Sequence, residues 1–236
     1  MAGIPVTAVV VINQSSLVSH DELAAMLPAL QRQVSEHFAP LWGVDATVEL
    51  AGPGQPVPAA PQPLFVMDSS DIAGDLGYHL AAPMIEAKVF VADCRRWGVP
   101  LSAVISHEIV EMLADPQASR TVQGRDGLWY MVECADPVAG DLYEMDGIPV
   151  SNFVTPRYFG LVADPGMPLD WLRRLGNACP ELTPGGYIER WDGRQWSQLR
   201  ARRADGTHNP LSDRPWGRTA WRAARRWPVS SVGDPK

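Results

Sequence analysis

Cysteine is scarce in this 236-residue chain, which carries only Cys94, Cys134 and Cys179. Scattered in this way, they offer neither a disulfide framework nor the paired spacing of a cysteine zinc site. Long apolar runs are missing too. No stretch reaches the roughly 18 apolar residues that a membrane span requires, so no membrane partner is expected. The first residues carry no basic segment, and the apolar run Val6–Ile12 is shorter than a secretory leader's and alternates as a strand does. Together these absences lead to the expectation of a cytoplasmic protein. No internal repeat is visible.

What is present is enough sequence to bury a full core, with charge spread unevenly along it. Residues 1–189 hold 9 Lys and Arg against 23 Asp and Glu, whereas residues 190–236 hold 11 against 4. An acidic body thus precedes a basic tail, in which Trp216, Trp221 and Trp227 lie among the arginines. Such a tail can contact the body, a sister subunit or a nucleic acid. No nucleic-acid-binding motif accompanies it, so nucleic acid stays a minor partner expectation.

Periodicity predicts a strand over Ile4–Ile12 and a helix from His20 or Asp21 to Phe38, in which Pro28 implies a kink or a late start. Strands follow at Ala46–Leu50, Leu64–Met67 and Ala87–Ala92. The proline-rich residues 51–63 read as an extended loop. Asp68, Asp71 and Asp75 lack the spacing of a calcium-binding loop and read as a solvated loop or a helix start. Leu101–Ala114 is a helix stopped by Asp115-Pro116, apolar nearly all round and therefore buried. Beyond it, Asp126-Gly127, Asp146-Gly147 and Asp192-Gly193 signal hairpins. The strands expected there are Leu128–Cys134 and Ile148–Val154.

On that buried helix lies His107-Glu108-x-x-Glu111. Positions i and i+4 are one turn apart on one face, so His107 and Glu111 can reach a single ion. A charged group on a buried helix needs a partner or a metal. The bland alternative is a His–Glu hydrogen-bond network that fixes the fold without any ion. Downstream, Glu133 shares a predicted strand face with Trp129 and Met131, and Asp136 sits in a proline-bounded turn.

The strand order together with this motif resembles the zincin metallopeptidases, whose helix motif is His-Glu-x-x-His. The likeness covers about the first half of the chain. Ser106–Pro116, Glu133–Val138 and Val150–Val154 are also similar to a group of phage and bacterial proteins that themselves resemble zincins. The resemblance implies an α+β fold: a twisted mixed sheet with a backing helix and a buried active-site helix, here followed by a hairpin-rich C-terminal half. The implied units are a metal-binding domain over 1–160, a connecting region over 161–189 and a basic hairpin and tail over 190–236.

The roles follow residue by residue. His107 matches the first metal ligand and Glu108 the general base, while Glu111 stands in place of the second histidine. Glu133 or Asp136 supplies the third ligand. Asp115 would orient His107 from behind, and Tyr143 would stabilise an oxyanion or simply be a half-buried strand residue. His20, His37, His79 and His208 are scattered, and the sequence favours none of them. Cys134, beside acidic residues, would have a raised pKa and is no nucleophile.

The expected cofactor is Zn2+, with Mn2+ or Ca2+ as alternatives, because replacing an imidazole by a carboxylate makes the site richer in oxygen and a weaker Lewis acid. The expected activity is metal-dependent hydrolysis of a peptide or protein. The contrasting expectation is a non-catalytic structural or interaction protein, of phage derivation, that keeps the fold.

Overall fold

Four valines and an isoleucine fill β1 (Val6–Asn13), a composition suited to a strand covered on both faces. The computed structural model describes residue 4 and residues 6–52, 62–71, 75–81 and 84–202. Most of the proline-rich loop and the tail with His208 and its tryptophans lie outside the described residues.

Ser19 caps α1 (His20–Arg32) in a reciprocal box with Glu22, whose carboxylate accepts from the Ser19 backbone N–H at 2.8 Å. Pro28 lies within the helix without ending it. The departure from α geometry comes later, in a π-helical segment Gln33–Phe38 that continues into a last turn, α2 (Ala39–Trp42), closed by Gly43 at φ 70°.

The strands β2 (Asp45–Leu50), β3 (Gln62–Met67), β4 (Gly77–Leu80) and β5 (Glu86–Phe90) join β1 in a sheet of order β2-β1-β3-β5-β4. All neighbours are parallel except the β4–β5 pair at the edge. β3 starts two residues earlier than expected and takes in Pro63, which is tolerated near a strand's start. The chain leaves β5 directly into a short helix, α3 (Val91–Trp97), stopped by Gly98 at φ 64°. The apolar sequence there had read as more strand.

α4 (Leu101–Ala114) has the expected bounds, and its residues 102–114 are all buried. It packs against β4, β5 and the later strand β9 (Ile148–Ser151), and β9 forms a hairpin with β8 (Leu142–Met145). Asp146 and Gly147, at φ 52° and 78°, make the turn that a tight hairpin with matching twist requires. β6 (Thr121–Gln123), β7 (Trp129–Met131), β10 (Tyr187–Trp191) and β11 (Trp196–Arg200) form an antiparallel sheet of order β11-β10-β7-β6. The β10–β11 hairpin therefore extends the β6–β7 hairpin, formed some sixty residues earlier in the sequence.

The architecture is mixed α+β, with three sheets and few helices among the described residues. None of the described helices is long and apolar enough to cross a membrane.

Candidate metal centre

The side chains of His107, Glu108 and Glu111 are placed by α4, and none of them faces solvent. His107, the most exposed of the three, retains 4 % of its surface. The helix holds its own position partly through Ser106. That hydroxyl donates to the Ala103 carbonyl at 3.2 Å and accepts from the Ser151 N–H at 2.7 Å, tying α4 to β9.

Two elements bring the remaining acids. After β7 the chain leaves the sheet and turns into a 3-10 turn, Asp136–Val138. The Ala135 and Asp136 N–H groups at the start of this turn both donate to Glu111 Oε1 at 3.2 Å. Asp136 is thereby fixed beside His107, with Asp136 Oδ1 at 3.2 Å and Glu111 Oε1 at 3.4 Å from His107 Nε2. The predicted strand ends at Met131 rather than Cys134, short of this turn.

The second element is β4. In its antiparallel register His79 lies opposite Ala87 and Gly77 opposite Val89. Residues paired in this way share a sheet face, and Ala87 and Val89 belong to the core beneath α4. His79 is thus directed at the helix. Its Nδ1 lies 3.8 Å from Glu108 Oε2 and 3.8 Å from Glu111 Oε2, and its Nε2 lies 3.7 Å from Glu133 Oε2. Nε2 is also 3.3 Å from the Asp115 carbonyl oxygen.

Gly77 has a steric role on the same face. A Cβ there would meet Glu108 Oε1 at 2.9 Å, the Lys88 carbonyl at 3.0 Å and Val104 Cγ1 at 3.0 Å. Gly77→Ala is expected to cost about 1–3 kcal/mol through overpacking. A urea denaturation curve that matched the wild type would contradict this close packing.

The site thus gathers His79, His107, Glu108, Glu111, Glu133 and Asp136, all at least 96 % buried. Two sets of three residues have ligand atoms close enough to share an ion, His107–Glu111–Asp136 and His79–Glu111–Glu133. A metal at about 2.0–2.1 Å from tetrahedral ligands spaces them about 3.3–3.4 Å apart. The His107 distances lie near that edge.

Two expected participants are placed differently. Asp115 Oδ2 accepts from the Ser119 and Arg120 N–H groups at 2.8 and 2.6 Å, so its carboxylate holds the loop after α4. Its carbonyl, and not its carboxylate, meets an imidazole, and that imidazole belongs to His79 rather than His107. The Tyr143 hydroxyl accepts from Gln33 Nε2 at 3.2 Å and lies 3.0 Å from His37 Nδ1. It is engaged with the π-helical segment, on the strand face opposite Leu142. The aspartates expected in a solvated loop also divide. Asp68 binds Ser15 and Ser16, Asp71 binds the Tyr78 hydroxyl, and Asp75 is buried.

Burial shapes the electrostatics. It works against a charged His107. Even so, the charge of Glu111 and the hydrogen bonds to Asp136 and Glu111 raise His107 to about 10. Glu111 is pushed up to about 7 by burial and by the neighbouring charge of Asp136, against the pull of His107. Burial, with Glu111, Glu133 and Asp136 adding to it, holds the Cys134 thiol well above its ordinary range, so it stays protonated.

A pocket of about 150 Å³ reaches this cluster, lined among others by Trp97, Val99, Leu142, His107 and Glu108. Its mouth is at the surface, where Trp97 is 43 % and Leu142 40 % exposed.

Compared with protein-family models, curated proteins and solved structures, the chain matches none.

Proposed function

We propose that the protein is a metal-dependent hydrolase of zincin-like architecture, acting on peptides, with His107, Glu111 and Asp136 as ligands. The observation that carries this reading is the convergence of those three side chains, with His107 lining, beside Glu108, a pocket that opens to solvent. A structural site needs no such access.

The donor set fits a cation. Four buried carboxylates, Glu108, Glu111, Glu133 and Asp136, surround two imidazoles, and the ion pairs described within the cluster run between these two kinds of group. Burying a carboxylate in an apolar interior costs several kcal/mol per ion, and a divalent cation shared by several of them offsets that cost. One imidazole with two carboxylates accepts zinc and also the harder Mn2+ or Ca2+. A bound ion would supply Lewis acidity and a more acidic water. Glu108, at the inner wall of the pocket, is placed to take a proton there, as the base in zincins does. The mixed sheet, the backing α1 and the buried helix after the last strand further support the zincin reading.

Protonation gives a test. Ligands bind metal in their deprotonated forms. In the metal-free chain the neighbouring carboxylates, against burial, raise His107 to about 10, and burial with the charge of Asp136 raises Glu111, so both groups hold protons more firmly than free side chains do. Binding at pH 7 is therefore expected to release protons, chiefly from His107. Affinity should fall about tenfold per unit as pH drops from about 10 to about 7, and more steeply below that. Calorimetric titration with Zn2+ in buffers of different ionisation heat reads the proton count. A count of zero at pH 7, with the same Zn2+ affinity in His107→Gln, would exclude His107 as a ligand.

A further inference from the structure

Glu111 belongs to both ligand sets, and it belongs to each by a different oxygen. Oε1 faces His107 at 3.4 Å and accepts the two backbone N–H groups of the 135–136 turn. Oε2 faces His79 at 3.8 Å and makes no hydrogen bond among the described residues, although Glu111 is fully buried. A carboxylate clamped through one oxygen, with the other directed at a second imidazole, has the form of a bridge between two ions. The rest of the donor set divides in the same way. His107 and Asp136 form one set with Glu111, His79 and Glu133 the other. In the second set, His79 Nδ1 lies 3.8 Å from Glu111 Oε2, while Nε2 lies 3.7 Å from Glu133 Oε2 and 3.3 Å from the Asp115 carbonyl, to which a proton on Nε2 would be donated. Fixing an imidazole's tautomer by such a bond is how proteins orient a histidine ligand.

We propose that the cluster is a two-ion centre, in which Glu111 bridges one divalent cation held by His107 and Asp136 to a second held by His79 and Glu133. The proposal rests on the metal-binding reading above and adds a second ion to it. Carboxylate-bridged pairs of ions sit about 3.5–4 Å apart in hydrolytic sites, where they clamp the attacking and leaving oxygens together. Only the first ion's ligand His107 lines the pocket. The second ion therefore acts from behind, through Glu111, on the charge at the first.

Mn2+ is the probe, added alone to the full-length chain and followed by metal counting after desalting and by electron paramagnetic resonance. The expected result is two Mn2+ per chain with an exchange-coupled spectrum. His79→Gln and His107→Gln should each keep one ion and lose the coupling. Circular dichroism identifies any variant that fails to fold, and the reciprocal variant then carries the test. One Mn2+ in the wild type, lost in both variants, would overturn the two-ion centre and leave a single shared ion. No Mn2+ binding, with none of Zn2+ either, would overturn the metal reading as well, so the two failures are distinguishable.

Discussion

Glu108→Gln is expected to lower hydrolysis of a peptide substrate by about 10²–10⁴-fold, the usual share of a general base, while metal content and fold stay intact. The amide keeps the shape of the side chain and its contact with Gly77, but it cannot accept a proton at neutral pH. Glu108 is fully buried, and the isosteric amide preserves its packing there, so the fold should be retained. The measurement is paired: kcat on a mixed peptide pool, and the urea midpoint of the same preparations. If activity and midpoint fell together, Glu108 would be a member of a fold-fixing network. If activity were unchanged, it would not be the base.

The second large effect is on stability. Metal that binds the folded chain at a thousand times its dissociation constant stabilises it by about 4 kcal/mol. For a chain of this size that corresponds to about 8–16 °C in Tm. Stripping the protein with a chelator should lower Tm by that amount, and adding Zn2+ back should restore it. Glu111→Gln should abolish the response altogether, since Glu111 contributes to both ligand sets. An equal chelator effect on that variant would place the ion elsewhere. Stability that was insensitive to the chelator in the wild type would favour the metal-free hydrogen-bond network.

Much of this arrangement could be read from the chain. The apolar circumference of Leu101–Ala114 marked a buried helix, and the structure buries residues 102–114. Spacing put His107 and Glu111 on one face, and the Asp-Gly pairs marked hairpin turns that are present at Gly127, Gly147 and Gly193. α3 was not legible, because its opening Val-Ala continues the apolar run of β5.

His79 was the substantial omission. Four residues of β4 are too few for an alternation to stand out, and what aims His79 at α4 is its register against Ala87, a tertiary fact. The one local hint was Gly77, two residues away on the same face. Asp136 and Glu133 were legible as nearby acids. Their division between two sets that share Glu111 depends on the turn at 135–136, whose N–H groups grip Glu111 itself. Asp115 and Tyr143 were close in sequence to the motif or to its hairpins, but backbone N–H groups claim the first and Gln33 the second.

The central claim is that an ion sits between α4 and the 135–136 turn. Crystals of the full chain grown with Zn2+, with data collected on both sides of the zinc absorption edge, test it most directly. The account predicts an anomalous peak at about 2.0–2.2 Å from His107 Nε2, Glu111 Oε1 and Asp136 Oδ1. A map without a peak there, with His107 still hydrogen-bonded to Asp136, would contradict it.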